Sequence, residues 1–405
     1  MGKPMSVSVH ANPTPCGTTH TPFAAHATPA IGHGGRLRAA IARYGGPPER
    51  WIDLSTAIAP WPYPLPPVPP EVWQRLPEPD DALPAAIATY YGADGLPIPG
   101  TQAALQILPT LFPAIRTVVI PTPSYGEYQR TWALAGRLVR TVPLTASAID
   151  QALETADALV LGQPNNPTGH RWSFDQIRAW HERLARRHGL LVIDEAFADA
   201  EAIATARPSP LPAWATQTRG AVILRSLGKF FGLAGLRFGV AFAEPPLLAA
   251  LDAHLGPWAV SHPARWAATL ALSDTVWQKR QLMRMTLAYR ELVALLTETG
   301  WLSVTPSNPA PQTFRDGLFP YAILLTHPDP EVAATLFANQ QILVRSFPTL
   351  PFLRVGIAPT EQISELRARL LTLTPESAKV PTRCGAVTIH HGTSATGHCD
   401  HEPKT

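Results

Sequence analysis

Lys229 sits in the segment Ser226-Leu227-Gly228-Lys229-Phe230-Phe231-Gly232-Leu233-Ala234-Gly235-Leu236-Arg237. In so apolar and glycine-rich a turn, desolvation disfavours an ammonium ion and frees the amine as a nucleophile. Ser226, three residues before the lysine, and Arg237, eight after it, are suited to gripping a phosphate. Asp194 ends the apolar run Val192-Ile193-Asp194 and is followed by Glu195; a carboxylate there is costly to bury unless something cationic meets it. Further upstream, Gly162-Gln163-Pro164-Asn165-Asn166-Pro167-Thr168-Gly169 makes a rigid turn that would hold an asparagine amide at a sheet edge, and the same residues also serve an ordinary turn. Gly228-Lys229 lacks the upstream glycine and the following Ser/Thr of a phosphate-binding loop, and no dinucleotide-binding glycine fingerprint follows a suitable strand.

Each of these residues stands just after a short apolar run. Strands are predicted at 117–120, 138–142, 158–161, 190–194, 221–225 and 238–242. A helix over 173–188 opens with a serine cap and repeats Phe174, Ile177, Trp180 and Leu184 at helical spacing. Continuous apolar runs separated by helices imply an α/β fold with a mainly parallel sheet covered on both faces, ligands lying at the C-terminal strand ends. Beyond Pro263 one long helix over 265–298 is predicted, then runs at 321–325, 342–345 and 352–356, which read as a smaller mixed α+β domain. The expected organisation is a disordered leader (1–30), an N-terminal arm (31–60), a large domain (61–262), a small domain (263–375) and a disordered tail (376–405).

The 405 residues carry 33 Lys and Arg against 30 Asp and Glu, a net charge of +3 that argues against nucleic acid as a partner. No apolar run approaches the length of a membrane span, and the N-terminus has no apolar signal core. The 3 cysteines, Cys16, Cys384 and Cys399, lie near the ends, which excludes a disulfide scaffold and favours the cytoplasm. His390, His391, His398, Cys399 and His401 could hold a soft metal if folded; a solvated tail is the plainer reading, and no metal site is expected.

Asn-Asn-Pro-Thr-Gly, then Asp-Glu-Ala-Phe, then Ser-Leu-Gly-Lys with an arginine eight residues on resembles the fold-type-I pyridoxal-phosphate enzymes, the aspartate aminotransferase superfamily, from about His33 to Leu373. The resemblance implies pyridoxal 5'-phosphate as cofactor. Lys229 then holds the cofactor covalently and shuttles protons, Asp194 pairs with the pyridine nitrogen, and Asn166 donates to the ring's phenolic oxygen. Tyr125, in Pro121-Thr122-Pro123-Ser124-Tyr125, matches the aromatic stacked on the ring, its alternative being a plain loop aromatic. Gly100, Thr101 and Gln102 open a helix and would offer backbone amides to the cofactor phosphate, with Ser226 and Arg237 completing the cradle. Arg354 matches the arginine that clamps a substrate carboxylate, its alternative being a surface arginine on a small-domain strand. A homodimer follows from the resemblance alone.

Within the superfamily the chain is similar to the histidinol-phosphate aminotransferase group, and by pattern to the threonine-phosphate decarboxylases of cobalamin synthesis. The features are His33-Gly34-Gly35, Asp53-Leu54-Ser55-Thr56 with a following proline, and Phe197 and Leu76 where the aminotransferases usually carry tyrosine. His33 and Gly34 match a substrate-phosphate contact and Arg345 a second cation; a turn and a solvated strand end are their alternatives. Ala57-Ile58-Ala59-Pro60 departs from the decarboxylase pattern, which tends to have asparagine there, so a polar contact to substrate is missing or supplied elsewhere. The implied reaction is decarboxylation of L-threonine O-3-phosphate to (R)-1-amino-2-propanol O-2-phosphate. An aminotransferase of the histidinol-phosphate type using 2-oxoglutarate shares every cofactor residue, and a non-catalytic regulator or assembly partner is a third reading.

Overall fold

Alternation of buried side chains along the strands builds the centre of the molecule. In the computed structural model, residues 32–302, 319–347 and 349–373 are described. The leader 1–30, the tail 376–405 and the histidines and cysteine of its suggested metal site lie outside the described residues. Seven strands form one sheet: β2 (Leu96–Ile98), β3 (Thr117–Thr122), β4 (Leu138–Pro143), β5 (Ala158–Gly162), β6 (Leu190–Asp194), β7 (Ala221–Ser226) and β8 (Gly239–Phe242), in the order β2-β8-β7-β6-β5-β3-β4. Val118, Ile120, Val160, Val192 and Leu224 pack into one apolar cluster, and Val119, Leu161, Leu191, Ile193 and Ile223 into another. The two periodic sets are the two faces of the sheet, each fully covered.

The six expected strands are present and the sheet is mainly parallel, with one strand reversed. Strands β4, β3, β5, β6 and β7 run parallel, whereas β8 is antiparallel to β7, and β2 is antiparallel to β8. Apolar runs carry no mark of direction, so this reversal was not legible. Its consequence is favourable for a site. Ser226 pairs with Gly239 and Ile98 with Gly239, so the end of β2, the start of β8 and the ends of β3, β5, β6 and β7 share one edge.

The helix at 173–188 forms as Phe174–Ala185, closed at its start by a capping box between Ser173 and Gln176. The long helix expected over 265–298 is two helices, His262–Ser273 and Thr275–Glu298. The break falls at Asp274, whose carboxylate accepts from the Trp277 N–H at 2.9 Å and so caps the second helix rather than continuing the first.

The C-terminal part adds a three-stranded antiparallel sheet of β9 (Ala322–Thr326), β11 (Arg345–Ser346) and β12 (Phe352–Gly356). The N-terminal arm contributes β1 (Ile52–Asp53), which pairs in parallel with β10 (Ile342–Leu343). Gly356 lies so close to the carbonyl of Thr56 that any Cβ would collide with it, and its N–H donates to Leu54 O at 2.7 Å. The arm is thus knitted to β12, the strand that carries Arg354.

Candidate active site

The shared strand edge gathers the polar residues. Gly100, Thr101, Gln102, Tyr125, Asn166, Asp194, Ser226, Lys229 and Arg237 line one cavity of about 140 Å³, together with Tyr128 and Phe197. A larger hollow of about 880 Å³, bordered by Trp172, Phe174, Glu195, Glu201 and Leu211, has no lysine in its wall and is not where this chemistry gathers.

Lys229 follows β7 and is half-buried, its Nζ 5.3 Å from the centre of the Phe197 ring. Burial, then the charges of Arg354 and Arg237, bring its pKa from 10.5 down to about 8, with Asp194 opposing. Asp194 is the last residue of β6 and 7% exposed. Its Oδ2 accepts from the Tyr128 hydroxyl at 3.0 Å and its Oδ1 from the Ala196 N–H at 3.0 Å. Burial raises its pKa, against the pull of those two donors and of Lys229.

At the other end of the cavity Gly100 adopts φ +79°, and a Cβ there would stand 2.7 Å from the Arg237 guanidinium. The arginine therefore lies against the start of the helix Thr101–Leu111, whose first N–H groups point out of the helix end. Ser226 faces the same region, its hydroxyl accepting from the Gly228 N–H at 3.2 Å. Tyr125 is half-buried, donates to Gln102 Oε1 at 3.3 Å and meets Tyr128 edge-on at 5.4 Å. Burial and then the Glu127 and Asp194 charges push its phenol up to about 12.

Arg354 is not a surface arginine: it is 7% exposed on β12. Its guanidinium donates to Asn166 Oδ1 at 2.6 Å and to the Ser55 carbonyl at 2.9 Å. With that oxygen engaged, the Asn166 amide nitrogen is the group left to donate into the cavity. Burial, with Arg345 adding to it, lowers the Arg354 pKa to about 10. Arg345 stands directly opposite Arg354 in the antiparallel register and is half-buried, its guanidinium over the Phe347 ring at 5.1 Å. Burial lowers its pKa as well, with Glu331 opposing. Like charges directly opposite each other in a sheet are unfavourable, and an anion between the two arginines would relieve the pair.

The arm closes this side. Gly34 packs so tightly on the Ser55 carbonyl that no Cβ fits, and the Gly35 N–H donates to Ser55 Oγ at 2.7 Å. Ser55 in turn donates to Asp53 Oδ1 at 2.6 Å. His33 sits 6.0 Å from the Tyr125 ring and bonds Glu127 through Nε2 at 3.0 Å. Ala57 and Ala59, where the decarboxylase pattern tends to have asparagine, are 1% and 2% exposed. The polar group that reaches Arg354 from this segment is the Ser55 backbone carbonyl.

Three features escape the sequence reading. Tyr128 and Glu127 are one, and their only sequence signal is their place just after Tyr125. The second is the cluster behind β6 and β7, in which the fully buried Arg225 donates to Glu195 at 3.2 Å and Asp199 at 2.5 Å. Burial raises both carboxylates, with Arg225 opposing. The third is the Ser55 carbonyl, a backbone group that no motif records.

A carboxylate at one end, a neutralisable amine in the middle and an N–H cluster with Ser226 and Arg237 at the other match a protonated ring nitrogen, an aldehyde and a phosphate. These residues fit pyridoxal 5'-phosphate, and Gly100 leaves a cradle that a Cβ would fill.

The chain belongs to the aminotransferase class I and II family, whose profile matches residues 73–370. It is 42% identical over 332 residues to a threonine-phosphate decarboxylase of Pseudomonas aeruginosa, covering 81% of this chain and 93% of that protein. A threonine-phosphate decarboxylase of Sinorhizobium sp. is 41% identical over 341 residues, covering 81% of this chain and 94% of that one. The fold is also that of the histidinol-phosphate aminotransferase of Sinorhizobium meliloti, solved in complex with pyridoxal-5'-phosphate. Its TM-score is 0.70 at 19% identity, over 88% of this chain and 99% of that one.

Proposed function

We propose that the protein is a pyridoxal-phosphate-dependent decarboxylase that converts L-threonine O-3-phosphate to CO2 and (R)-1-amino-2-propanol O-2-phosphate in cobalamin synthesis. The observation that carries this reading is the opposed pair Arg345–Arg354 beside the Lys229 cavity, which suits a substrate bearing both a carboxylate and a phosphate. The two relatives of 41–42% identity support it further.

The cofactor, when bound, supplies an electron sink for the pair left on Cα when a bond there breaks. Lys229 would hold the cofactor through its aldehyde and, as a free amine, would carry a proton beside Cα. Asp194, held by Tyr128 and the Ala196 N–H, would keep the ring nitrogen protonated. Asn166 would donate to the phenolic oxygen, and Tyr125 would pack on the ring. Gly100, Thr101, Gln102, Ser226 and Arg237 would take the cofactor phosphate. Arg354 would grip the substrate carboxylate and set its angle, and that angle would decide whether the carboxylate or the Cα hydrogen is the group that leaves. Arg345, His33 and Gly34 bind the substrate phosphate. The vacated position on Cα takes one proton, so the step needs no oxidant and no oxo-acid partner.

Phe197 removes the hydroxyl that the aminotransferases usually place near Lys229, which favours the decarboxylase over the transaminating reading. Residues 61–262 act as the large domain, 263–375 as the small one, and 31–60 as an arm that completes the substrate side. Exposed Trp73, Leu76 and Trp258, 59–67% accessible, support a homodimer that covers them. No helix among the described residues is long and apolar enough to cross a membrane; the scarcity of cysteine supports a cytoplasmic enzyme. Incubation with L-threonine O-3-phosphate, with and without 2-oxoglutarate, tests the proposal: CO2 release independent of the oxo acid is expected.

A further inference from the structure

Glu127 is a buried carboxylate that the reaction outlined above does not use. It is 5% exposed, and it is not part of the cavity wall. Its Oε1 accepts from His33 Nε2 at 3.0 Å, and its Oε2 from Gln102 Nε2 at 2.9 Å and Arg130 Nη1 at 3.4 Å. Gln102 accepts from the Tyr125 hydroxyl in turn. One side chain therefore ties the N-terminal arm, the helix that opens at Thr101 and the aromatic at the cavity wall. It does so across 94 residues of chain to His33 and 25 to Gln102.

A carboxylate offers only acceptors, so the imidazole nitrogen it meets must carry the hydrogen. Glu127 thereby fixes both the tilt of the His33 ring and which nitrogen faces inward. Nε2 is committed to Glu127, and Nδ1 is the edge left to turn toward a ligand, meeting an anion as a donor once it too carries a proton. Histidines whose far nitrogen is held in this manner are fixed in orientation and in tautomer. The side chain of His33 is 46% exposed while that of Glu127 is 7% exposed, so the anchor is inside and the presented edge is outside.

We propose that Glu127 is a positioning residue that seats His33 for the phosphate of the substrate, and so sets preference for phosphorylated over unphosphorylated amino acids. This rests on the reading that His33 meets the substrate phosphate. Glu127 touches neither substrate nor cofactor and acts through the imidazole. Arg130, whose guanidinium lies 3.4 Å from Oε2, offsets its charge, so the acid does not repel the anion it helps to bind.

The test is a double-mutant cycle on the holoenzyme together with side-chain NMR. Loss of one hydrogen bond to a charged group corresponds to roughly a tenfold change. His33→Ala and Glu127→Ala should each raise KM for L-threonine O-3-phosphate about tenfold, with kcat changed less than about twofold. The double variant should also show about tenfold, not the hundredfold of independent effects, and Glu127→Gln should recover part of the loss. Multiplying effects, an unchanged KM in Glu127→Ala, or a fall in kcat alone would overturn the proposal. In long-range 1H–15N spectra of the histidine side chains, with His33 identified by its loss in His33→Asn, wild-type protein should show a single Nε2-protonated form that Glu127→Ala abolishes. An identical His33 pattern in the two proteins would equally overturn it. Absence of CO2 release by wild type would refute the decarboxylase reading by itself, and the spectra, which need no turnover, would still decide whether Glu127 seats His33.

Discussion

Lys229 should weaken the cofactor-free fold that contains it. Its pKa falls from 10.5 to about 8, chiefly through burial and the nearby Arg354 charge. At about 1.4 kcal/mol per pKa unit, the charged form is penalised by about 3 kcal/mol in the folded state. Below pH 8 that penalty is present in full. Between about pH 8 and 10.5 the unfolded chain still holds the proton that the folded one has released, so the unfolded state binds more protons and stability rises with pH. Lys229→Met keeps the length of the side chain and removes the charge. Cofactor-free Lys229→Met should therefore be more stable than cofactor-free wild type by about 3 kcal/mol at pH 7, the gap closing as the pH approaches 10.5. Urea denaturation of the two proteins at a series of pH values measures this directly. The same variant should neither bind the cofactor covalently nor turn over. A variant less stable than wild type at pH 7, or a gap independent of pH, would refute the account of a desolvated amine poised by its surroundings.

Three further outcomes follow from the geometry. Tyr128→Phe removes one of the two donors on the Asp194 carboxylate; at about 1.5–3 kcal/mol for a hydrogen bond to a charged group, the Kd of pyridoxal 5'-phosphate should rise roughly tenfold to a hundredfold, read by titrating the cofactor's absorbance. Arg354→Ala should weaken substrate binding by at least about tenfold while pyridoxal 5'-phosphate stays bound, and loss of the bound cofactor would place Arg354 in the wrong site. Arg225→Ala leaves Glu195 and Asp199 buried without their cation and should cost about 3–5 kcal/mol in urea denaturation at pH 7. Because burial raises both carboxylates, acidification should neutralise them and shrink that deficit.

The parallel strands were legible because each is a continuous apolar run long enough to cross a covered sheet. Leu96–Ile98 was not, since three residues with a central proline carry no strand signal, yet this strand delivers Gly100 to the phosphate end. The break at Asp274 escaped because apolar spacing continues on both sides of it, and only the local competition of the aspartate for a backbone N–H ends the first helix. Lys229, Asp194 and Asn166 could be read because each ends its strand or follows it by a few residues, which fixes its position at the edge. Arg354 was legible as a residue but not in its burial, which depends on the arm folding back over β12. Glu127 and Tyr128 act on His33 and Asp194, 94 and 66 residues away, and no local pattern encodes such pairings.

The most direct test follows the fate of one carbon. L-threonine O-3-phosphate labelled with 13C at its carboxyl is incubated with cofactor-loaded protein, and gas and solution are both analysed by mass spectrometry. The account predicts labelled CO2 in an amount equal to unlabelled 1-amino-2-propanol O-2-phosphate, unaffected by 2-oxoglutarate. Label retained in an oxo acid, with glutamate formed only when 2-oxoglutarate is present, would contradict it and make the protein an aminotransferase.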